Sequence, residues 1–208
     1  MKGIFITLEG ADGSGKTTQF NKIVSFLKKN DIPFITTREP GGEALGIEIR
    51  NILLNTKEPV SNICELFLYL ADRAQHVEMK IKKALEEGKV VLCDRHTDST
   101  LAYQGYARGL DINKLKMLND IVTNGIKPDL TLLFDINTTT AMQRVGKRAN
   151  KDRMEQEGTI FHQKVCQGYL EIAKNEPERI KIIDANKPIE EVWEQVLPYI
   201  RNITKNKL

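Results

Sequence analysis

Gly10-Ala11-Asp12-Gly13-Ser14-Gly15-Lys16-Thr17 satisfies the phosphate-binding loop pattern G-x-x-x-x-G-K-[ST] at every fixed position, and Thr18 continues it. The chemistry served by that pattern is the holding of a nucleoside triphosphate. Glycines let the backbone curl so that successive N–H groups point inward, and a following helix adds the positive end of its dipole. Lys16 then reaches the β- and γ-phosphates, and the Thr17 hydroxyl can ligate Mg²⁺. A second pair, Asp94-Arg95, follows the apolar run Val90-Val91-Leu92-Cys93. Asp94 could orient the water shell of Mg²⁺ beside Thr17, and the planar guanidinium of Arg95 could clamp phosphate oxygens. An Asp-Arg pair alone is ordinarily a surface ion pair. Its place directly after a core strand in a phosphate-loop protein favours function.

The elements that must position these groups alternate along the chain. Gly3 to Leu8 is short, apolar and β-branched, the pattern of a buried strand, and over 18–29 Phe20, Ile23, Val24 and Leu27 mark one face of a helix. Pro33 to Thr37 reads as a second strand, and the loop Arg38-Glu39-Pro40-Gly41-Gly42 precedes an amphipathic helix over about 44–54. Asn62 is placed to cap a long helix reaching Glu87, with Gly88 as its stop. Strands over 89–93, 130–135 and 180–183 follow, with helices expected over 113–122, from Thr138 into the charged stretch 144–157, over 159–175 and over 189–200. Five strands separated by helices predict an α/β fold, a five-stranded parallel sheet with helices on both faces, in one domain over residues 1–208. In open parallel sheets ligands bind beyond the carboxyl ends of the strands. Four polar segments should gather there: the phosphate loop, 38–42, 94–109 and the stretch around Arg148.

Composition narrows the class. The chain has 208 residues and a net charge of +3 with both signs interspersed, which argues against a nucleic-acid or membrane-surface protein. Cys64, Cys93 and Cys166 lack metal or redox spacing, so each is expected to be a small buried hydrophobe in a reducing cytoplasm. No apolar run reaches membrane-spanning length, and the first strand begins too early for a signal peptide.

Three runs together, Glu9 to Thr18, Arg38 to Gly42 and Asp94-Arg95-His96-Thr97-Asp98-Ser99-Thr100-Leu101-Ala102-Tyr103-Gln104-Gly105, resemble thymidylate kinases of the bacterial type. The likeness covers almost the whole chain, including Ala71-Asp72-Arg73 and Asp152-Arg153-Met154-Glu155. It implies the phosphate-loop nucleoside monophosphate kinase fold, phosphorylation of dTMP by ATP with Mg²⁺, and a homodimer. It also implies roles for individual residues. Arg73 matches the arginine that reads the base; it can only donate, which suits the O4 acceptor of thymine and not the amino group of cytosine. Tyr69 stands where many relatives stack a phenylalanine on the base, with Phe67 as a rival. Gln104 could pair with the base edge, Ser99 lies on the same segment, and Tyr103 would pack under a deoxyribose. Arg38, Arg50 and Arg95 match positions around the acceptor phosphate, and Asp12 the contact to the sugar 3′-hydroxyl, with a possible share in the metal shell. Asp184-Ala185-Asn186 should lie near adenine.

The stretch 144–157 resembles the lid over ATP. A eukaryotic branch of the family carries its catalytic arginine in the phosphate loop, at the position of Gly13. This chain must draw one from elsewhere, with Arg148 and Arg153 the leading candidates and Arg144 behind them, while neighbouring Lys147 adds a further cation that blurs the assignment. The catalytic set expected from the likeness is therefore Lys16, Arg95, Asp12, Arg148 and Arg153. A GTP-switch module would need Asn-Lys-x-Asp after a core strand, and Asn150-Lys151-Asp152 lacks that spacing. A motor-type nucleic-acid ATPase would be larger and more basic. The nearest alternative is another nucleoside or nucleotide kinase with a shifted acceptor.

Overall fold

The computed structural model describes residues 3–146 and 152–207. Its five strands are β1 (Ile4–Glu9), β2 (Phe34–Arg38), β3 (Val90–Asp94), β4 (Leu130–Asp135) and β5 (Ile180–Asp184). They lie in the order β2-β3-β1-β4-β5, and every neighbouring pair is parallel. The expected α/β class and strand boundaries hold to within a residue or two.

A parallel sheet covered on both faces explains why the inner strands β1, β3 and β4 read as near-continuous apolar runs, while the edge strands β2 and β5 carry Thr36, Thr37 and Lys181. Alternate residues face opposite sides. Ile4, Ile6, Leu8, Val90, Leu92 and Leu132 pack with Ile23 and Leu27 of α1 (Lys16–Lys29) and Val192, Val196 and Ile200 of α9 (Ile189–Lys207). On the other face Phe5, Val91 and Cys93 meet Val77, Ile81 and Leu85, while Leu133 joins Leu66, Leu70, Val165 and Tyr169. Each such fully buried side chain contributes about 1.5–3 kcal/mol.

Between the strands lie α2 (Ala44–Asn55), α3 (Asn62–His76), α4 (Lys82–Glu86), α5 (Thr97–Thr100), α6 (Ile112–Thr123), α7 (Thr138–Gly146) and α8 (Thr159–Asn175). The expected long helix after residue 61 runs through α3, a π-helical turn at Val77–Ile81 and α4. It stops at Gly88 as expected: with φ +75° there, Gly88 N–H donates to Leu85 O and Lys89 N–H to Ala84 O, closing the orphan carbonyls. Its N-cap is Ser61, not Asn62; the serine Oγ accepts from Cys64 N–H at 3.2 Å. The polar stretch after β3 is helical too, as α5 continued by a π-helical run over Leu101–Ala107. One buried brace ties that stretch to the sheet. Arg179 donates to both oxygens of Asp98, at 2.7 and 2.9 Å, and to Thr131 Oγ1. Of the cysteines, Cys93 is buried and Cys166 half-buried, but Cys64 is exposed on α3, contrary to expectation.

Candidate active site

A cavity of about 400 Å³ opens beyond the carboxyl ends of β1, β2 and β3, bounded by Asp12 to Thr18, Arg38 to Pro40 and Asp94 to His96. The register puts Leu8, Arg38 and Asp94 side by side, so the three loops leave the sheet together.

The phosphate loop turns through positive φ at Gly10 (136°) and Gly13 (81°). A side chain at either would also collide with backbone: a Cβ would lie 2.5 Å from Phe134 O at Gly10 and 2.6 Å from Ala141 O at Gly13. Lys16 opens α1, and its Nζ donates to Gly10 O at 2.8 Å and Ala11 O at 3.0 Å. Burial, with the charge of Arg95, brings its pKa down to about 8. Thr17 and Thr18 are exposed on the cavity wall. Gly10 and Ala11, which open the loop, do not line this cavity. Asp94 lines the same space as Thr17, and its buried Oδ1 has no hydrogen-bond partner among the described residues.

Arg95 is held from several sides. Its Nη2 donates to Asp12 Oδ1 at 2.7 Å and its Nη1 to Tyr169 OH and Ser99 Oγ, and its guanidinium lies over the Tyr103 ring. Burial alone would raise the Asp12 pKa, but Arg95 and Lys16 outweigh it and hold the carboxylate well below its ordinary value. Sequence reasoning assigned no role to Glu9, the last residue of β1. Its fully buried carboxyl accepts from His96 N–H, Ser99 Oγ and Tyr169 OH, at 2.7, 2.6 and 2.9 Å. Burial and the charge of Asp98 push its pKa up to about 7. Glu9 thus fixes the strand end to the helical stretch carrying Ser99. A charged residue closing an otherwise apolar strand was the available signal.

Arg38, Arg50, Tyr69, Arg73, Ser99, Tyr103 and Gln104 all line the same cavity. Arg50 is anchored through Nη1 to Pro40 O. Tyr69 faces this space, whereas Phe67 is 56 % exposed and outside it. Arg73 is buried and mostly committed: Nε donates to Glu39 Oε2, Nη1 to Thr100 Oγ1 and Asn119 Oδ1, and Nη2 to His96 O. A guanidinium has five N–H donors, so one on Nη2 remains. Gln104 reaches the wall from the π-helical run, its Nε2 donating to Glu65 Oε1 at 2.9 Å. The Asp184-Ala185-Asn186 segment does not border this cavity; Asn186 Oδ1 instead accepts from Asn137 N–H.

The arginines expected in a lid divide. Arg148, like Lys147, lies outside the described residues. Arg153 is not brought to the cavity: its Nε donates to Leu53 O and its Nη2 to Glu65 Oε2, at 2.8 and 2.7 Å. The buried carboxylate of Glu65 has captured it. Arg144, the weaker candidate from sequence, does line the cavity, and its Nη1 donates to Gly13 O at 3.1 Å.

A family model described as thymidylate kinase matches residues 8–196. This chain belongs to the thymidylate kinase family. It is 46% identical over 203 residues to the thymidylate kinase of Carboxydothermus hydrogenoformans, covering 98% of this chain and 99% of that one. To that of Desulfosudis oleivorans it is also 46% identical, covering 96% and 97%. The crystal structure of thymidylate kinase from Ehrlichia chaffeensis superimposes with a TM-score of 0.76 at 33% identity, covering 96% of this chain and 99% of that one. The chain is therefore a nucleoside monophosphate kinase with the phosphate-loop kinase fold. Among the described residues no helix is long and apolar enough to cross a membrane.

Proposed function

We propose that the enzyme transfers the γ-phosphoryl group of ATP to dTMP, releasing ADP and dTDP. One observation carries this reading. The triphosphate-binding Lys16 and a wall bearing Tyr69, Arg73 and Gln104 face one cavity, with Arg95 between them. The wall matches a pyrimidine, with an aromatic face, a donor and an amide.

The dTMP phosphate is an anion near neutral pH, so its oxygen can attack the γ-phosphorus as the bond to the β-phosphate oxygen breaks, with no general base required. The protein contributes alignment and charge. Lys16 exchanges its loop carbonyls for phosphate oxygens, and Arg38 and Arg50 orient the acceptor phosphate. Arg95, fixed by Asp12 and Tyr169, spans donor and acceptor, and Arg144 brings positive charge beside the phosphate loop. Asp12 and Tyr103 together face the sugar.

The donors near Thr17 fit Mg²⁺. They are hard oxygens, the orphaned Asp94 Oδ1 among them, and the described residues hold no cluster of three His, Cys, Asp or Glu that would cage a metal. That suits an ion carried mainly by phosphates and water. Thr17 and Asp94 would hold the ion and its waters there, and it would supply charge neutralisation for the nucleotide phosphates.

Homodimerisation has a matching surface. Exposed Ile63 and Phe67 on α3, and Met117 and Ile121 on α6, form i,i+4 apolar pairs on two packed helices. Phe67→Asp with Met117→Asp should yield monomers in sedimentation velocity, and a wild-type monomer would refute the dimer. Three free cysteines suit a reducing cytoplasm.

Coupled ADP release across dTMP, dUMP, UMP, dCMP, dGMP and thymidine tests the reaction. The expected outcome is highest kcat/KM with dTMP. Preference for another acceptor would favour the shifted-specificity reading.

A further inference from the structure

Glu65 lies on α3, fully buried and outside the cavity, yet it touches the cavity wall through one side chain. Its Oε1 accepts from Gln104 Nε2 at 2.9 Å and Arg108 Nε at 3.2 Å. Its Oε2 accepts from Arg153 Nη2 at 2.7 Å and Arg108 Nη2 at 3.1 Å. Burial alone would raise its pKa, but the hydrogen bonds from Arg108, Gln104 and Arg153 outweigh that and hold it below the ordinary glutamate value. Glu65 is therefore a carboxylate, which accepts and cannot donate.

A carboxylate on one side settles which way an amide faces. Only the NH₂ end of Gln104 can meet Glu65, so the carbonyl end is the one left over. Gln104 is 2 % exposed and borders the cavity, and the side-chain hydrogen bond it makes among the described residues is the one its Nε2 donates to Glu65. We propose that Glu65 is a specificity-determining positioning residue, which locks the Gln104 amide so that Oε1 is presented to the N3–H of a pyrimidine imide.

This rests on the dTMP reading of the cavity and adds the reason for its selectivity. Arg73 offers one N–H donor and Gln104 one acceptor. Thymine presents the complement, an O4 acceptor and an N3–H donor. Cytosine presents an amino donor and a bare N3 acceptor, mismatched at both. Arg108 and Arg153 thereby act on specificity at one remove, by keeping Glu65 charged.

Glu65→Gln tests the lock directly. The two arginine contacts at Oε2 hold the introduced amide's oxygen, which leaves its NH₂ facing Gln104. Gln104 must then turn its own nitrogen toward the cavity. The expected result is a fall of about ten- to a hundredfold in the kcat/KM ratio of dTMP to dCMP, with the KM for ATP unchanged. Combining Glu65→Gln with Gln104→Glu restores an acceptor toward the base, so the double variant should regain most of the lost ratio. An unchanged ratio in the single variant, or no recovery in the double, overturns the proposal. Should the single variant fail to fold, NMR of the Gln104 side-chain amide in the wild-type protein decides. Its NH₂ protons should be slow to exchange, and should stay so on adding dTMP; loss of protection as nitrogen turns to the base overturns the lock. If wild-type enzyme does not phosphorylate dTMP at all, the underlying reading fails instead.

Discussion

Arg95 Nη2 and Asp12 Oδ1 lie 2.7 Å apart, so the guanidinium that leaves β3 is held by a carboxylate of the phosphate loop itself. That contact resolves an oddity of the sequence. A negative charge inside a phosphate-binding loop would repel nucleotide, but here it is matched, and it aims the arginine across the cavity. Arg95 has a φ of +70°, unusual for a residue with a side chain, and its many partners hold it there.

Lys16 should make nucleotide affinity pH-dependent. Its pKa is about 8 in the free protein and must rise when phosphates join it, so the bound state holds more protons above pH 8. ATP binding should therefore take up a proton, and affinity should fall toward tenfold per pH unit above 8. Calorimetry at pH 8.5 in buffers of different ionisation enthalpy checks this, and Lys16→Met should abolish the uptake. Binding without proton uptake would show that the lysine is charged throughout.

Arg144 and Arg153 should separate kinetically. Arg144 stands beside the phosphate loop, so Arg144→Ala should lower kcat more than it raises either KM. Combined with Arg148→Ala the loss should approach about 10³-fold, the lower range for arginine fingers. Arg153 is bound to Leu53 O and Glu65, so Arg153→Ala should raise the KM for dTMP and leave kcat nearly intact. Single-turnover rates distinguish the two; a large kcat loss confined to Arg153→Ala would reverse the assignment.

Tyr69→Ala should weaken dTMP binding by about 1–3 kcal/mol, the range for aromatic stacking on a base. Phe67→Ala should leave it unchanged, since that ring faces outward. Calorimetric titration of both variants with dTMP gives the answer, and equal losses would place neither ring on the base.

Arg179→Ala should cost about 3–5 kcal/mol of stability, because it strands the buried Asp98 carboxylate. Lys22→Ala, which breaks an exposed pair with Glu190, should cost less than about 1 kcal/mol. Urea unfolding compares them, and similar midpoints would mean that the Asp98 brace contributes little.

The inner strands were legible because each is a short, mostly apolar run fenced by polar residues, and the phosphate loop because its pattern is nearly a geometry. Other features needed the third dimension. Nothing in the spacing of Thr97 to Ala107 announced a π-helical run that puts both Tyr103 and Gln104 on the cavity wall. The fate of Arg153 depended on Glu65, 88 residues away, whose burial no local pattern reveals. Tyr69 stands one turn before Arg73 on the cavity face of α3, and Phe67, two residues earlier, falls on the opposite, exposed side, as helical spacing implies.

The close approach of α7 to the phosphate loop also limits how the enzyme could be rebuilt. A Cβ at Gly13 would sit 2.6 Å from Ala141 O, on the same helix that delivers Arg144. Grafting the eukaryotic solution, an arginine at position 13, would require this helix to withdraw and take its own cation with it. An arginine at position 13 and Arg144 in its present place would therefore compete for the same space beside the phosphate loop.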